Sequence, residues 1–152
     1  ETLARCAGEL GMGGGQLLDM ESEERACTQQ EILDIQSRKT GALIRAACLL
    51  GVLAGGGSEA QEQAAGTFAD HLGLAFQIRD DMLDVIGNAD EFGKPIGSDK
   101  DEGKVTYVDL LGLDDCGKLI HELTEQAVST VSDLDRDGFL TALAESLTER
   151  TK

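Results

Sequence analysis

One long helical segment dominates the sequence, over about residues 58–87. Ser58 followed by Gln61 is a helix-start signal, and Gly87 offers a C-terminal cap. Apolar residues recur between these signals at helical spacing. A helix of this length is stable when other elements bury it on several sides. The segment therefore predicts a helical bundle built around it.

Near its end this segment carries a cluster of carboxylates, Asp80, Asp81 and Asp84. Asp80 and Asp84 lie about 40° apart around a helix axis, and like charges at this spacing destabilise a helix by about 0.2–0.5 kcal/mol per pair. Carboxylates retained beside an apolar face indicate a bound cation. Oxygen ligands without His or Cys suit Mg²⁺ better than zinc. Because Mg²⁺ completes its shell with water and phosphate oxygens, the cluster suggests a diphosphate substrate.

The rest of the chain also favours helices. A first helix is predicted from the start to about Glu21, kinked by the glycines between residues 11 and 15. A second begins at a capping box formed by Thr28 and Glu31 and ends at Gly55. A loop over residues 88–104 precedes helices at about 106–111, 114–131 and 137–150. No alternating pattern predicts a strand, so the expected class is all-α.

Charge and composition exclude several partners. The formal net charge is −16, which argues against nucleic acid or an anionic membrane surface. No apolar run approaches the roughly 20 residues that span a bilayer. The four cysteines lack any CxxC spacing, as is typical of a reducing compartment, and we expect a cytoplasmic protein. An acidic chain that handles a diphosphate needs a metal and well-placed lysines.

Four motifs follow one another along the chain: GQxxD, KTG, FQxxDDxxD and GK-x₂-GxD-x₃-GK. Besides the aspartate triplet, the residues that carry them include Gln16, Asp19, Lys39, Thr40, Gln77, Lys94 and Lys104. Together they resemble the second half of a trans-type prenyl diphosphate synthase, and the likeness is greatest to bacterial farnesyl diphosphate synthases. The resemblance covers nearly the whole chain, and the ordered set is far more specific than a lone DDxxD.

The resemblance implies the C-terminal portion of an isoprenoid-synthase helical bundle, with residues 1–152 forming part of one domain. It implies a Mg²⁺-dependent prenyltransferase that condenses an allylic diphosphate with isopentenyl diphosphate. The allylic C–O bond ionises, the double bond of isopentenyl diphosphate attacks the carbocation, and a proton is lost. The implied product is short, most similar to farnesyl diphosphate, and the full-length parent is expected to be a homodimer.

The resemblance also implies a role for each motif residue. Asp80, Asp81 and Asp84 would hold Mg²⁺ against the allylic diphosphate. The lysines that would contact this diphosphate are Lys39, Lys94 and Lys104. Thr40 and Gln77 would line the reacting end of the allylic chain, where a hydroxyl and an amide carbonyl offer partial negative charge to a carbocation. Gln16 and Asp19 would lie near the same cavity.

The chain departs from the family pattern in two respects. It has a single DDxxD and lacks the upstream aspartate-rich motif and the N-terminal basic residues of the family. The first residues after Glu1 already have the pattern of a helix interior. We therefore expect a fragment of a longer protein, catalytically inactive alone, that self-associates through apolar surface where its other half would pack.

Other functions fit the residues less well. The run from Asp133 to Gly138 matches the first half of a calcium loop, but Ala144 stands where a bidentate Glu is needed, so a helix-capping turn through Asp135 or Asp137 is the better interpretation. A terpene cyclase motif starting at Asp84 would lack its Ser or Thr. A non-catalytic subunit would usually have lost the aspartates. A helical metal- or subunit-binding module would need none of the lysine motifs.

Overall fold

The structure is a computed structural model that describes residues 1–22, 27–86 and 105–151. Its regular elements in these ranges are helices, namely α1 (Thr2–Ala7), α2 (Met12–Ser22), α3 (Gln29–Gln36), a π-helical turn (Ser37–Gly41), α4 (Ala42–Ala54), α5 (Glu59–Ile86), α6 (Tyr107–Leu111), α7 (Leu113–Thr130) and α8 (Phe139–Thr148). No strand occurs in the ranges described. The predicted all-α class is confirmed.

The predicted first helix is two helices. Its continuity to about Glu21 is wrong, because α1 ends at Ala7 and α2 begins at Met12. Gly11 lies in the connection, and a Cβ there would overlap the backbone carbonyl of Cys6. The glycines thus allow a sharp change of direction that a longer side chain would block.

The second predicted helix is interrupted by the π-helical turn Ser37–Gly41, called the π-turn below. Its start is as predicted: the Thr28 amide donates to Glu31 Oε2 at 2.8 Å, and the Glu31 amide donates to Thr28 Oγ1 at 3.3 Å. A π-turn inserts one extra residue into the hydrogen-bond ladder, so the side chains of α4 are rotated relative to those of α3. Lys39 and Thr40 lie within this turn.

Helix α5 is the centre of the bundle and packs against the π-turn, α4, α6, α7 and α8. Its start is confirmed, since the Ser58 amide donates to Gln61 Oε1 at 2.8 Å. One core cluster joins its second half to α3, α6 and α7 through Ile32, Ala75, Ile78, Met82, Tyr107, Cys116, Ile120 and Leu123. A second joins its middle to α7 and α8 through Phe68, Leu72, Ala127, Val131 and Ala144. Each large side chain buried in these clusters stabilises the fold by about 1.5–3 kcal/mol. Ile78 and Met82 of the first cluster lie on either side of Asp80 and Asp81 along α5.

The aspartate-rich turn before α8 caps that helix. Asp135 Oδ1 accepts from the Leu140 amide at 2.8 Å, and Oδ2 accepts from the Thr141 amide at 2.9 Å. The Thr141 hydroxyl donates to the same Oδ2 at 2.7 Å, and this bond is the largest cause that lowers the pKa of Asp135. The interpretation of this run as a helix-capping turn is confirmed.

Apolar side chains are exposed along α1, α2 and the segment between them. Leu3, Leu10, Leu17 and Met20 are 53%, 62%, 57% and 58% exposed. Self-association through this surface stays a prediction. Among the described helices, none combines the length and the apolar character that crossing a bilayer would require.

Candidate active site

The π-turn is held between α2 and α5 by two glycine contacts. A Cβ at Gly15 would lie 2.8 Å from the Cβ of Arg38, and a Cβ at Gly73 would lie 3.2 Å from the Cα of Gly41. A Cβ at Gly15 would overlap the π-turn, whereas a Cβ at Gly73 would require Gly41 to move by a few tenths of an ångström. Two π-turn residues, Lys39 and Thr40, lie between these glycine contacts. Their side chains face different helices.

Lys39 faces α2. Its Nζ lies 2.5 Å from Oδ2 of Asp19, whose side chain is 14% exposed, whereas the Lys39 side chain is 37% exposed. The structure thus brings together the GQxxD and KTG motifs, and the carboxylate fixes the direction of the ammonium. Gln16 follows the Gly15 contact on the same helix and is solvent-exposed.

Thr40 faces α5. Its hydroxyl donates to Gln77 Oε1 at 3.1 Å, and Gln77 Nε2 donates to Asp81 Oδ1 at 3.1 Å. A carboxylate only accepts hydrogen bonds, so the NH₂ of Gln77 must face Asp81 and its carbonyl must face Thr40. Thr40 gives its only hydroxyl hydrogen to this bond, which leaves oxygen lone pairs for other contacts.

Asp81 differs from the other two aspartates of the triplet. It is 3% exposed, and its Oδ2 accepts from the backbone amide of Tyr107 at 2.9 Å. It therefore ties α5 to the first residue of α6. Burial, followed by the Asp81 charge, raises the pKa of the Tyr107 phenol to about 12. Burial is likewise the largest cause that raises the pKa of Cys116, again followed by Asp81.

Asp80 is paired with a residue that the sequence motifs did not identify. The Arg150 guanidinium, 70 residues further along the chain, forms an ion pair with Asp80. Its carbon Cζ lies 4.2 Å from the centre of the Phe76 ring, which is a cation–π distance. The Arg150 carbonyl accepts from Arg79 Nε at 2.8 Å and from Arg79 Nη2 at 2.7 Å. Neither motif spacing nor periodicity signals such a distant arginine.

The donor set of this region fits Mg²⁺ by chemistry. Within the described ranges no three His, Cys, Asp or Glu side chains are arranged as a metal cluster, and Asp81 is buried. Asp80 and Asp84 remain one helical turn apart, and one or two carboxylates are what Mg²⁺ usually takes from a protein. Lys94 and Lys104 lie outside the described residues.

Comparisons with known proteins identify one family. The Polyprenyl synthetase family profile matches residues 2–136. The farnesyl diphosphate synthase of Geobacillus stearothermophilus is 41% identical over 138 residues, which cover 91% of this chain and 46% of that one. The geranylgeranyl diphosphate synthase of Cyanophora paradoxa is 37% identical over 142 residues, which cover 92% of this chain and 47% of that one.

Solved structures show the same all-α fold. The geranylgeranyl pyrophosphate synthase of Corynebacterium glutamicum, crystallised with isoprenyl diphosphate and magnesium, superposes with a TM-score of 0.80 at 29% identity. The match covers 99% of this chain and 56% of that one, so the chain spans about half the length of the relatives it matches. On the family match and on the 41% identity to a farnesyl diphosphate synthase, the chain belongs to the polyprenyl synthetase family.

Proposed function

We propose that this chain forms one half of a Mg²⁺-dependent prenyltransferase site, in which an allylic diphosphate is condensed with isopentenyl diphosphate to give a short prenyl diphosphate. The observation that carries the proposal is the convergence at the π-turn. Lys39 and Thr40 are consecutive residues there: Lys39 pairs with Asp19 and Thr40 bonds to Gln77, which is one helical turn before Asp80 and Asp81. The neutral oxygens of Thr40 and Gln77 thus lie next to the carboxylates of α5, and the cationic Lys39 adjoins Thr40 in the chain.

Each group suits one part of this chemistry. Mg²⁺ bound at Asp80 and Asp84 would supply positive charge against the departing diphosphate. Lys39, aimed by Asp19, adds a compact positive charge for the same anion. Lys94 and Lys104 are proposed to add two more from the segment outside the described residues.

The oxygens of Thr40 and Gln77 are proposed to face the allylic cation. Their hydrogen bond fixes both oxygens, so their partial negative charge needs no reorganisation as the cation forms. Neither group is a strong nucleophile, which limits capture of the cation. Asp81 keeps Gln77 in this orientation through the amide NH₂.

The finer points of the function are part of the same proposal. We favour farnesyl diphosphate as the product, the parent as a cytoplasmic homodimer, and this chain as inactive without the missing half-site. Relatives that make farnesyl and geranylgeranyl diphosphates are 41% and 37% identical. The choice between these products therefore depends on sequence similarity rather than on a residue of this site.

The proposal is tested by calorimetry with Mg²⁺ and inorganic pyrophosphate on the purified chain. Pyrophosphate should bind only with Mg²⁺, and Asp80→Asn should weaken binding by at least about tenfold. Asp133→Asn is the matched control, since it removes the same charge from an exposed turn residue. Pyrophosphate binding that needs neither Mg²⁺ nor Asp80 would contradict the proposal, and Ca²⁺ binding without pyrophosphate would favour a helical metal-binding module instead. In an assay with allylic and isopentenyl diphosphates, the chain alone should show no turnover.

A further inference from the structure

We propose that Arg150 is an internal counter-cation for Asp80, which a divalent metal must displace, and that it thereby sets the metal affinity of the site. The inference rests on the proposed function in taking Asp80 as a metal ligand. It concerns a residue outside the four sequence motifs and outside the match to the family profile, which ends at residue 136.

Three residues on one face of α5 receive Arg150. Phe76, Arg79 and Asp80 occupy positions i, i+3 and i+4, which are neighbours on a helix surface. The ring of Phe76 lies against the guanidinium, and Asp80 forms the ion pair. Arg79 binds the Arg150 backbone carbonyl through two hydrogen bonds. The backbone is thus anchored separately from the charged end of the side chain.

This separation allows the guanidinium to leave Asp80 without detaching the chain from α5. The ion pair is made through Nη2, and the Arg150 Nε is buried without a hydrogen-bond partner among the described atoms. The Arg150–Asp80 ion pair therefore lacks the two parallel hydrogen bonds that make arginine–carboxylate pairs strong. A hard dication that also recruits Asp84 can compete with a pair of this kind.

Competition for one carboxylate has a measurable consequence. While Arg150 occupies Asp80, part of the binding free energy of the metal is used to break the ion pair. The two side chains are partly exposed, at 25% for Arg150 and 41% for Asp80, so the pair is of moderate strength. We expect its removal to tighten metal binding by about three- to tenfold.

The test measures Mn²⁺ binding alone, by electron paramagnetic resonance on the whole chain, with Mg²⁺ as competitor. Arg150→Gln should bind Mn²⁺ about three- to tenfold more tightly than the unmodified chain, and Arg150→Lys should fall between them. Arg136→Gln is the control, because it removes the same charge from an exposed residue in the turn before α8. It corrects for the change in net charge of a chain that carries −16.

The outcomes separate the inference from the proposed function. If Asp80→Asn abolishes Mn²⁺ binding while Arg150→Gln binds Mn²⁺ no more tightly than Arg136→Gln, Arg150 is not a counter-cation, but Asp80 is still supported as a metal ligand. If Asp80→Asn binds as well as the unmodified chain, the metal site and the counter-cation both fail. No Mn²⁺ binding to either the unmodified chain or Arg150→Gln would also overturn the inference. Hydrogen exchange over residues 144–150 should show Arg150→Gln still docked, and undocking would count against the separate backbone anchor.

Discussion

Thr40 donates its hydroxyl hydrogen to Gln77 Oε1 across 3.1 Å and so joins the π-turn to α5. The bond lies one helical turn beyond the point where Gly41 crosses Gly73. Gln77 in turn donates to Asp81, which accepts from the Tyr107 amide. A single chain of hydrogen bonds thus runs from the π-turn through α5 to the start of α6, and the two oxygens proposed to face a carbocation are part of it.

Thr40→Val should destabilise the chain by about 0.5–1.5 kcal/mol, because Gln77 Oε1 loses its donor while the shape of the side chain is nearly kept. The measurement is urea denaturation followed by circular dichroism. The control is Thr67→Val, since the exposed Thr67 hydroxyl donates to the Gln63 carbonyl of its own helix. Equal effects of the two substitutions would show that the Thr40–Gln77 bond is not special.

Asp81→Asn should destabilise the chain by about 1–3 kcal/mol, since the new NH₂ must face one of two N–H donors in a buried place. The Tyr107 amide should then exchange its hydrogen faster. Asp84→Asn is the comparison, and it should cost less because Asp84 is less buried and its replacement relieves like-charge repulsion with Asp80. A larger loss from Asp84→Asn would contradict a positioning role for Asp81.

Gly73→Ala should destabilise the chain by about 1–3 kcal/mol, because the added methyl group would push Gly41 and the π-turn away from α5. The matched control is Gly117→Ala on α7, where a Cβ would meet nothing within 4 Å. That change should stabilise the chain by up to about 1 kcal/mol through helix propensity. Thermal unfolding of both variants checks the pair, and stabilisation by Gly73→Ala would refute the close crossing.

Sequence patterns predicted most of the fold because caps and periodicity are local. The capping boxes at Thr28 and Ser58 are present as predicted. The π-turn was not predicted, since one extra residue in a hydrogen-bond ladder leaves little trace in the apolar pattern. The separate role of Asp81 could be predicted from the sequence. Consecutive residues of a helix point about 100° apart, so Asp80 and Asp81 cannot face the same way.

The parts of the site that were missed depend on contacts between distant segments. Arg150 reaches Asp80 from 70 residues away, and which arginine does so is decided by how α8 packs on α5 and α7. The Asp19–Lys39 pair likewise exists because Gly15 allows α2 to approach the π-turn. Spacing within one element carries no information about such pairings.

The Tyr107 phenol should titrate near pH 12 in the folded chain, where burial and then the Asp81 charge raise its pKa to about 12. The chain has one tyrosine and no tryptophan, so phenolate absorbance at about 295 nm reports this residue alone; in urea it should titrate near pH 10. A folded pKa above the unfolded pKa means that the stabilising contribution is complete below about pH 10 and is lost as pH rises towards 12. The loss should reach about 2–3 kcal/mol.

Tyr107→Phe is the control for this titration. It should keep its stability at pH 7, because the phenol oxygen is buried without a hydrogen-bond partner among the described residues, and it should lack the alkaline loss. A phenolate that forms near pH 10 in the folded chain would contradict the burial of Tyr107 beside an ionised Asp81.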